Sequence, residues 1–394
     1  MSKNTKEIIR QKSTDIFSQI VSYRRYLHQN PELSFDESGT AKYISEILKE
    51  HNIEIDNSFG ENAVIGIIRG KNEKQSIALR ADIDALPITE TNNCDYVSKN
   101  TGIMHACGHD AHTASLLGTA IILNKIKDSL AHNVILIFQP AEEKNPGGAK
   151  MLIEKGILKK YNIKKIIAQH VNPNVKTGHF CFGSGHLMAS TDEIHIRFKG
   201  IGGHASIPEK RSDVVLSMVE FIAMANELSN ELNKKSPVLI AFGKVIADGS
   251  VNVVPSELVI EGTMRSFDEK IRKHIKDNLK RFAENAAKSY KNTVDFKILD
   301  GYPSLFNDIF LSEEILNHAK EYLSEKNIEI FEQRMTADDF SYFSKEIPAV
   351  LYRTGIEGNG FGQNSLHSSN FDIDENMFID SVGLMAYIAI MINN

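Results

Sequence analysis

Residues 134–168 read VILIFQPAEEKNPGGAKMLIEKGILKKYNIKKIIA, and the pattern of apolar residues changes twice within them. The apolar run at 134–138 has the length of a buried strand. Residues 147–155 have helical spacing, and 164–168 is a second apolar run. A strand, a helix and a strand in this order predict a βαβ unit whose two strands are parallel.

The same alternation continues on both sides of this unit. Strands are predicted at 63–68, 76–79 and 349–352, and helices at 8–29, 112–127 and 376–392. Strands that alternate with helices of this length are typical of an α/β fold with a doubly wound, largely parallel sheet.

After residue 185 the order of elements is different. The segments at 193–199, 212–232, 238–245, 258–265, 271–286 and 294–299 read strand, helix, strand, strand, helix, strand. This is the order of a ferredoxin-like α+β domain. We therefore predict a discontinuous α/β domain, formed by 1–186 and 300–394, that is interrupted by an inserted domain at 187–299.

The composition excludes several classes of protein. The chain has 394 residues, and 45 basic against 51 acidic residues give it a net charge of −6, which argues against a nucleic-acid partner. No apolar run approaches the roughly 18 residues that span a membrane, and the first residues lack the apolar stretch of a secretory signal. Three cysteines are too few for a disulfide framework, so we predict a cytoplasmic protein in a reducing compartment.

Polar residues with metal-binding or catalytic potential follow the predicted strands. In an open α/β sheet, ligands bind beyond the carboxyl ends of the strands. Several segments therefore bring candidate residues to one edge of the sheet: Asp82, Asp84, Glu142, Glu143 and His170 follow strands, and His105, Cys107 and His109 precede the helix at 112–127.

The run MHACGHD at 104–110 places a cysteine and a histidine two residues apart. Both can face one ion if the chain turns sharply at Gly108. Thiolate and imidazole together suit zinc, and manganese, cobalt or nickel remain open. The alternative is a buried free cysteine beside a histidine that caps the helix.

The run QPAEE at 139–143 ends in two adjacent carboxylates. Consecutive residues of an extended chain point to opposite sides, so Glu142 and Glu143 need not do the same work. One carboxylate can bind a metal ion while its neighbour acts as a general base. An exposed acidic turn is the alternative reading.

The remaining histidines are weaker signals when each is taken alone. His170 and His367 could be hydrogen-bonded structural residues, and His28 is expected to cap or pack the end of the first helix. His204 lies in the glycine-rich turn GIGGH, which lacks the spacing of a dinucleotide-binding fingerprint. Its glycines could instead present His204 to a partner surface.

Taken together, the motifs resemble those of the metal-dependent aminoacylase and carboxypeptidase family. They look most like its amidohydrolase branch, which includes hippurate hydrolase and the indole-acetyl-amino-acid hydrolases. The resemblance covers the chain from about residue 24 onward and rests on the runs LHQNPELSFDES, ALRADIDALPI, MHACGHDAHTASLLG, IFQPAEEKNPGGAKMLIEKG, FKGIGGHASIP, SVNVVPSELVIEGTMRSF, TADDFSYF and SLHSSNFDIDE.

The resemblance implies a catalytic domain with two divalent metal ions per subunit and an inserted lid or dimerisation domain. It assigns the metal ligands Cys107 as a bridging thiolate, His109 and His170 in one site, and Glu143 and His367 in the other. It makes Glu142 the general base that activates water, and Asp84 a carboxylate that orients a ligand, a role that Asp82 could share. In the inserted domain it directs His204, Asn252 and Arg265 toward the substrate, with His204 coming from the neighbouring subunit of a homodimer or homotetramer.

The activity implied by the resemblance is cleavage of N-acyl-L-amino acids, of the N-acetyl or N-benzoyl type, to a carboxylic acid and an amino acid. A carboxypeptidase or dipeptidase acting on short peptides, and an N-acetyl-diaminopimelate deacetylase, are alternatives within the same chemistry. Two others differ in kind: Cys107 acting as a nucleophile with His109 as its base, and a binding protein without turnover. The stretch PEKRSDV at 208–214 departs from the family pattern, in which a histidine follows the proline and Asp-Pro comes a few residues later.

Overall fold

The structure is a computed structural model that describes residues 2–60 and 62–392. Its helices are α1 (Ser2–Asp15), α2 (Phe17–Gln29), α3 (Ser38–Glu50), α4 (His109–Lys125), α5 (Gly148–Glu154), α6 (Ile157–Lys160), α7 (Val214–Leu232), α8 (Glu269–Ser289), α9 (Ile309–Tyr322), α10 (Ser341–Glu346) and α11 (Met377–Met391). Within these ranges no helix combines the length and the apolar character that crossing a membrane requires.

The strands belong to a large sheet, a four-stranded sheet and two short ladders. They are β1 (Glu54–Asp56), β2 (Val64–Ile68), β3 (Asn72–Asp82), β4 (His132–Gln139), β5 (Ile163–Lys176), β6 (Phe180–Phe182), β7 (Gly185–Met188), β8 (Asp192–Lys199), β9 (Gly203–His204), β10 (Val238–Ile246), β11 (Val253–Val254), β12 (Glu257–Ser266), β13 (Thr293–Asp300), β14 (Leu305–Asn307), β15 (Ile328–Ile330) and β16 (Ala349–Glu357).

The chain divides into two compact units. The first consists of Met1–Gly185, Phe306–Glu332 and Tyr342–Asn394, and the second of His186–Leu305 with Gln333–Ser341. The predicted first domain includes all of 300–394, whereas Gln333–Ser341 belongs to the second unit. Gln333–Ser341 joins the second unit because the Arg334 amide donates to the Leu187 carbonyl and the Ala189 amide donates to the Thr336 carbonyl.

The first unit confirms the predicted α/β fold. Its eight-stranded sheet has the order β1-β2-β4-β3-β5-β16-β6-β15, and the β4, β3, β5 and β16 neighbours are parallel. The strands outside this centre include antiparallel pairs, which makes the sheet mixed at its edges. Strand β4 is buried along nearly its whole length, which explains its continuous apolar run.

Several predicted boundaries in this unit differ from the structure. The helix expected at 8–29 is two helices, α1 and α2, which are interrupted at Ile16. Strand β3 extends to Asp82. Strand β5 continues past Ala168 to Lys176, and within this extension His170 pairs with Arg353 of β16. The apolar pattern stops earlier than the strands because buried polar side chains occupy their last residues.

The second unit has the predicted ferredoxin-like topology. Its sheet order is β10-β12-β8-β13 and all neighbours are antiparallel, which is the arrangement of a split βαβ fold. Helices α7 and α8 begin at the aspartates Asp213 and Asp268, whose carboxylates accept hydrogen bonds from amides of the first turn. Phe198, Phe221 and Leu279 are fully buried in the core between these helices and the sheet.

Candidate metal centre

The candidate site lies in the first unit, where β3 and β4 end and α4 begins, beside His170 within β5. Asp82 is the last residue of β3, and Glu142 and Glu143 follow β4. The structure brings together the residues predicted for this site: Asp84, Cys107, His109, Glu142, Glu143, His170 and His367.

Cys107, His109 and His170 form one group of potential ligands. Their donor atoms lie within 4.8 Å of one another, and Cys107 Sγ is 3.7 Å from His170 Nε2. Gly108 between the first two residues has a φ of 84°, in the left-handed region that glycine adopts readily. A Cβ atom on Gly108 would also stand 2.6 Å from Val171 Cγ2, so the turn requires glycine on two grounds.

Cys107, Glu143 and His367 form a second group with donor atoms within 4.8 Å, so Cys107 belongs to both. His367 Nε2 is 3.2 Å from Glu143 Oε1. His367 has a φ of 64°, and its amide donates to the carbonyl of Ala106. This bond connects the segment that carries His367 to the residue before Cys107.

Asp84 contacts one residue of each group, His109 and Glu143. Its Oδ1 lies 3.1 Å from His109 Nδ1, which leaves Nε2 of that ring directed toward the carboxylates of Glu142 and Glu143, at 4.0 and 3.9 Å. The other oxygen, Oδ2, accepts hydrogen bonds from the Ser34 hydroxyl and the Glu143 amide. Such contacts set the ring orientation of a ligating histidine.

Asp82 contacts a histidine that the sequence analysis did not select. Its Oδ1 is 2.6 Å from His112 Nδ1, and His112 Nε2 accepts a hydrogen bond from the Val171 amide. Burial favours the neutral acid, but His109, His112 and Arg80 outweigh it and hold the pKa of Asp82 well below its usual range. Asp82 is therefore an ionised carboxylate beneath the site.

The donor set fits divalent cations. Among the described residues, the buried atoms His109 Nε2 and Glu143 Oε1 have no hydrogen-bond partner. Burial, together with Glu143 and Glu142, raises the pKa of the Cys107 thiol well above its usual range. Burial lowers the pKa of His109, but Asp82 and Asp84 outweigh it and raise that pKa to about 10. A positive charge in the site would stabilise the ionised forms of these carboxylates and of the Cys107 thiol. Sulfur, nitrogen and oxygen donors together suit a borderline-soft metal ion.

Glu37 supports the loop that carries the two glutamates. Its Oε1 accepts a hydrogen bond from the Ala141 amide, and its Oε2 accepts one from Asn62 Nδ2. Burial raises the pKa of this carboxyl to about 7. The run LSFDES at 33–38 is part of the family resemblance. Its local pattern does not indicate where the Ser34 and Glu37 side chains point.

Two other histidines of the first unit, His28 and His105, are buried. His28 does not merely cap α2, because it is buried and its ring nitrogens contact Asp110 Oδ2 at 2.8 Å and Glu90 Oε1 at 3.0 Å. His105 is buried with no hydrogen-bond partner for either ring nitrogen among the described residues, and burial lowers its pKa to about 4.

The remaining predicted residues lie in the second unit. His204 is exposed in β9 and pairs with Val253 of β11, and the Ala205 amide donates to the Asn252 carbonyl. His204 and Asn252 are therefore neighbours in one ladder. Arg265 is half-buried in β12, a strand of the four-stranded sheet, opposite Leu239.

Comparisons with known proteins agree with this site. A family model described as peptidase family M20/M25/M40 matches residues 78–390. An N-acetyl-L-cysteine deacetylase of Bacillus subtilis is 35% identical over 92% of this chain and 85% of its own length, and thermostable carboxypeptidase 2 of Saccharolobus solfataricus is 34% identical over 95% of both. The crystal structure of B. subtilis YXEP, a dinuclear metal-binding peptidase of the M20 family, has a TM-score of 0.83 at 33% identity and covers 96% of this chain and 98% of that chain.

Proposed function

The chain belongs to peptidase family M20/M25/M40, and we propose that it cleaves N-acyl-L-amino acids. This proposal makes specific what the family shows, which is a hydrolase of amide bonds with two divalent metal ions. The products are a carboxylic acid and a free amino acid. The deacetylase relative supports an N-acyl substrate.

Cys107 is the proposed ligand shared by the two ions. His109 and His170 complete one site, and Glu143 and His367 complete the other. Support comes from the two ligand groups, which have Cys107 in common. When bound, two divalent ions held by these residues, zinc, manganese, cobalt or nickel, would polarise a carbonyl and lower the pKa of water toward neutrality.

Glu142 is the proposed general base, and its position is the observation that carries the proposal. It is a buried carboxylate beside the partly buried Glu143, with Oε2 4.0 Å from His109 Nε2, in addition to the five proposed ligands. A protein that only stored metal would not need it. Glu142 takes the proton of the attacking water and returns it to the nitrogen of the leaving amine.

The second unit is proposed to act as a lid. His204 from the neighbouring subunit donates a hydrogen bond to the oxyanion that develops on the carbonyl, while Asn252 and Arg265 bind the substrate carboxylate. The exposure of His204 supports this role, because an exposed side chain is available to a partner subunit.

The same unit is proposed to form a homodimer, or a homotetramer. Apolar side chains are exposed on α7 and on β10, the edge strand of its sheet: Leu216, Val219, Leu239, Val245 and Ile246. Burying them against a second copy would remove apolar surface from water.

We also propose a cytoplasmic location. The three cysteines form no disulfide, and a reducing compartment would keep Cys107 available as a thiolate ligand.

A substrate panel tests the proposed activity. We expect hydrolysis of N-acetyl- or N-benzoyl-amino acids to exceed hydrolysis of dipeptides, to stop after chelation, and to return when zinc, manganese, cobalt or nickel is added. Faster cleavage of dipeptides would favour the peptidase alternative, which the carboxypeptidase relative also suggests. Inactivation by thiol alkylation without any effect of chelators would instead indicate Cys107 as nucleophile.

A further inference from the structure

Arg24 of α2 lies at the centre of a buried charged cluster beside the metal centre. Its Nε donates to Asp110 Oδ2 at 2.8 Å, and its Nη2 donates to Asp372 Oδ1 at 2.7 Å. The side chains of Arg24 and Asp110 are fully buried and that of Asp372 is 7% exposed. One guanidinium thus holds two buried carboxylates that come from distant parts of the chain.

The two carboxylates belong to segments that carry proposed metal ligands. Asp110 follows His109 in the first turn of α4. Asp372 lies five residues after His367, in the irregular segment between β16 and α11. Arg24 therefore connects a ligand of one ion with a ligand of the other, although it contacts neither ion site directly.

The segment that carries His367 has no regular structure to hold it in place. Its position depends on individual hydrogen bonds: the Thr91 amide donates to the Ser369 carbonyl, Asn92 Nδ2 donates to the Phe371 carbonyl, and the Tyr96 hydroxyl donates to Asp372 Oδ2. The segment is joined to the interior of the unit at two points: the His367 amide donates to the Ala106 carbonyl, and Asp372 accepts bonds from both Tyr96 and Arg24.

We propose that Arg24 is a positioning residue for the dinuclear centre, which fixes His367 relative to His109 and so controls occupancy of the ion site formed with Glu143. This inference rests on the proposed ligand assignment. The planar guanidinium presents its donors in a fixed fork, which sets the separation of the two carboxylates. Without it, two buried negative charges would face each other and the segment carrying His367 would move outward.

Arg25 provides a matched control. It is the next residue of the same helix, but its side chain is 46% exposed and pairs with Glu375, which Arg24 Nη1 also contacts, at 3.3 Å. An Arg25 variant therefore disturbs the shared Glu375 contact and leaves the Arg24 bonds to Asp110 and Asp372 in place. The variants are Arg24→Met, Arg24→Lys and Arg25→Met, each made metal-free and titrated with Zn²⁺ alone, with bound metal counted by elemental analysis. Circular dichroism confirms that each variant is folded.

We expect wild type and Arg25→Met to bind two ions with the same affinities. Arg24→Met should keep the first ion and bind the second about 10–100-fold more weakly, as loss of a contact that orients a ligand commonly does. Arg24→Lys should lie between these results, because an ammonium keeps the charge without the fork. A purely structural role would lower thermal stability and leave the affinity of the folded protein for the second ion unchanged.

A folded Arg24→Met variant that binds both ions as tightly as wild type would overturn the inference. If that variant does not fold, Arg24→Lys carries the test, because it keeps the positive charge and removes only the fork that spans Asp110 and Asp372. We expect it to weaken binding of the second ion selectively, and wild-type affinity for both ions in Arg24→Lys would overturn the inference in the same way. Wild type that binds fewer than two ions would contradict the proposed function as well, whereas two ions bound with wild-type affinities by every variant would contradict only the role of Arg24.

Discussion

At the scale of single residues, several side chains contact the residues that are proposed as metal ligands and the loop that carries the proposed base. Asp84 contacts His109, Ser34 and the Glu143 amide at once. Glu37 receives the Ala141 amide, immediately before the two glutamates. These contacts connect the loop before α3, the end of β3 and the loop after β4, so the donor atoms are placed by residues that are distant in sequence.

Glu37 gives a prediction for the pH dependence of stability in the metal-free protein. Burial raises its pKa from 4.5 to about 7, so the folded state binds a proton more tightly than the unfolded state does. The contribution of Glu37 to stability is therefore greatest below pH 4.5 and falls as the pH rises toward 7, by about 3 kcal/mol. We expect Glu37→Gln to be stabilised relative to wild type as the pH is raised from 5 to 8, measured as the difference between their urea midpoints. A difference that does not change with pH would contradict the assigned cause.

At the scale of elements, the turn between β4 and α5 fixes the position of both glutamates. A Cβ atom on Gly148 would overlap the carbonyl oxygen of Pro140, and the Gly148 amide donates to the carbonyl of Ala141. The start of α5 therefore packs directly against the backbone that leads into Glu142. Only glycine allows this close approach.

We expect Gly148→Ala to displace the Pro140 carbonyl and the glutamates with it. The expected effects are a loss of about 1–3 kcal/mol in the free energy of unfolding and about 10²-fold in kcat/KM. The control is Gly243→Ala in β10, where an added Cβ meets no atom within 4 Å. Wild-type kinetics in Gly148→Ala would show that the turn does not position the glutamates.

The elements that the sequence predicted well are those whose burial is uniform along one face or both. Strand β4 is apolar because both of its faces are covered, and α8 buries Ile275 and Leu279 at helical spacing. The ends of β3 and β5 were missed because buried polar residues, among them Asp82 and His170, interrupt the apolar pattern. The Arg24 cluster could not be predicted from local pattern, since its partners come from α4 and from the segment before α11.

At the scale of the whole molecule, the long chain folds as two units, the first of which is interrupted by the second. The motifs around Cys107 and Glu142 lie before the insertion and His367 lies after it, so the proposed metal centre forms only when both parts of the first unit are folded together. Strands β7 and β14 lie at the two ends of the main segment of the second unit, His186–Leu305, and they pair with each other. The chain therefore leaves and returns at neighbouring points, which allows a complete ferredoxin-like fold to be inserted without breaking the large sheet.

The central claim is that Glu142 acts as the base in a centre whose metal ligands are other residues. The most direct measurement combines metal content with kcat/KM for an N-acyl-amino acid in wild type, Glu142→Ala and Glu143→Ala. We predict that Glu142→Ala keeps two ions per chain and loses about 10²–10⁴-fold in kcat/KM, the usual contribution of general acid–base catalysis, whereas Glu143→Ala loses metal. A Glu142→Ala variant that holds two ions and has wild-type kcat/KM would contradict the claim.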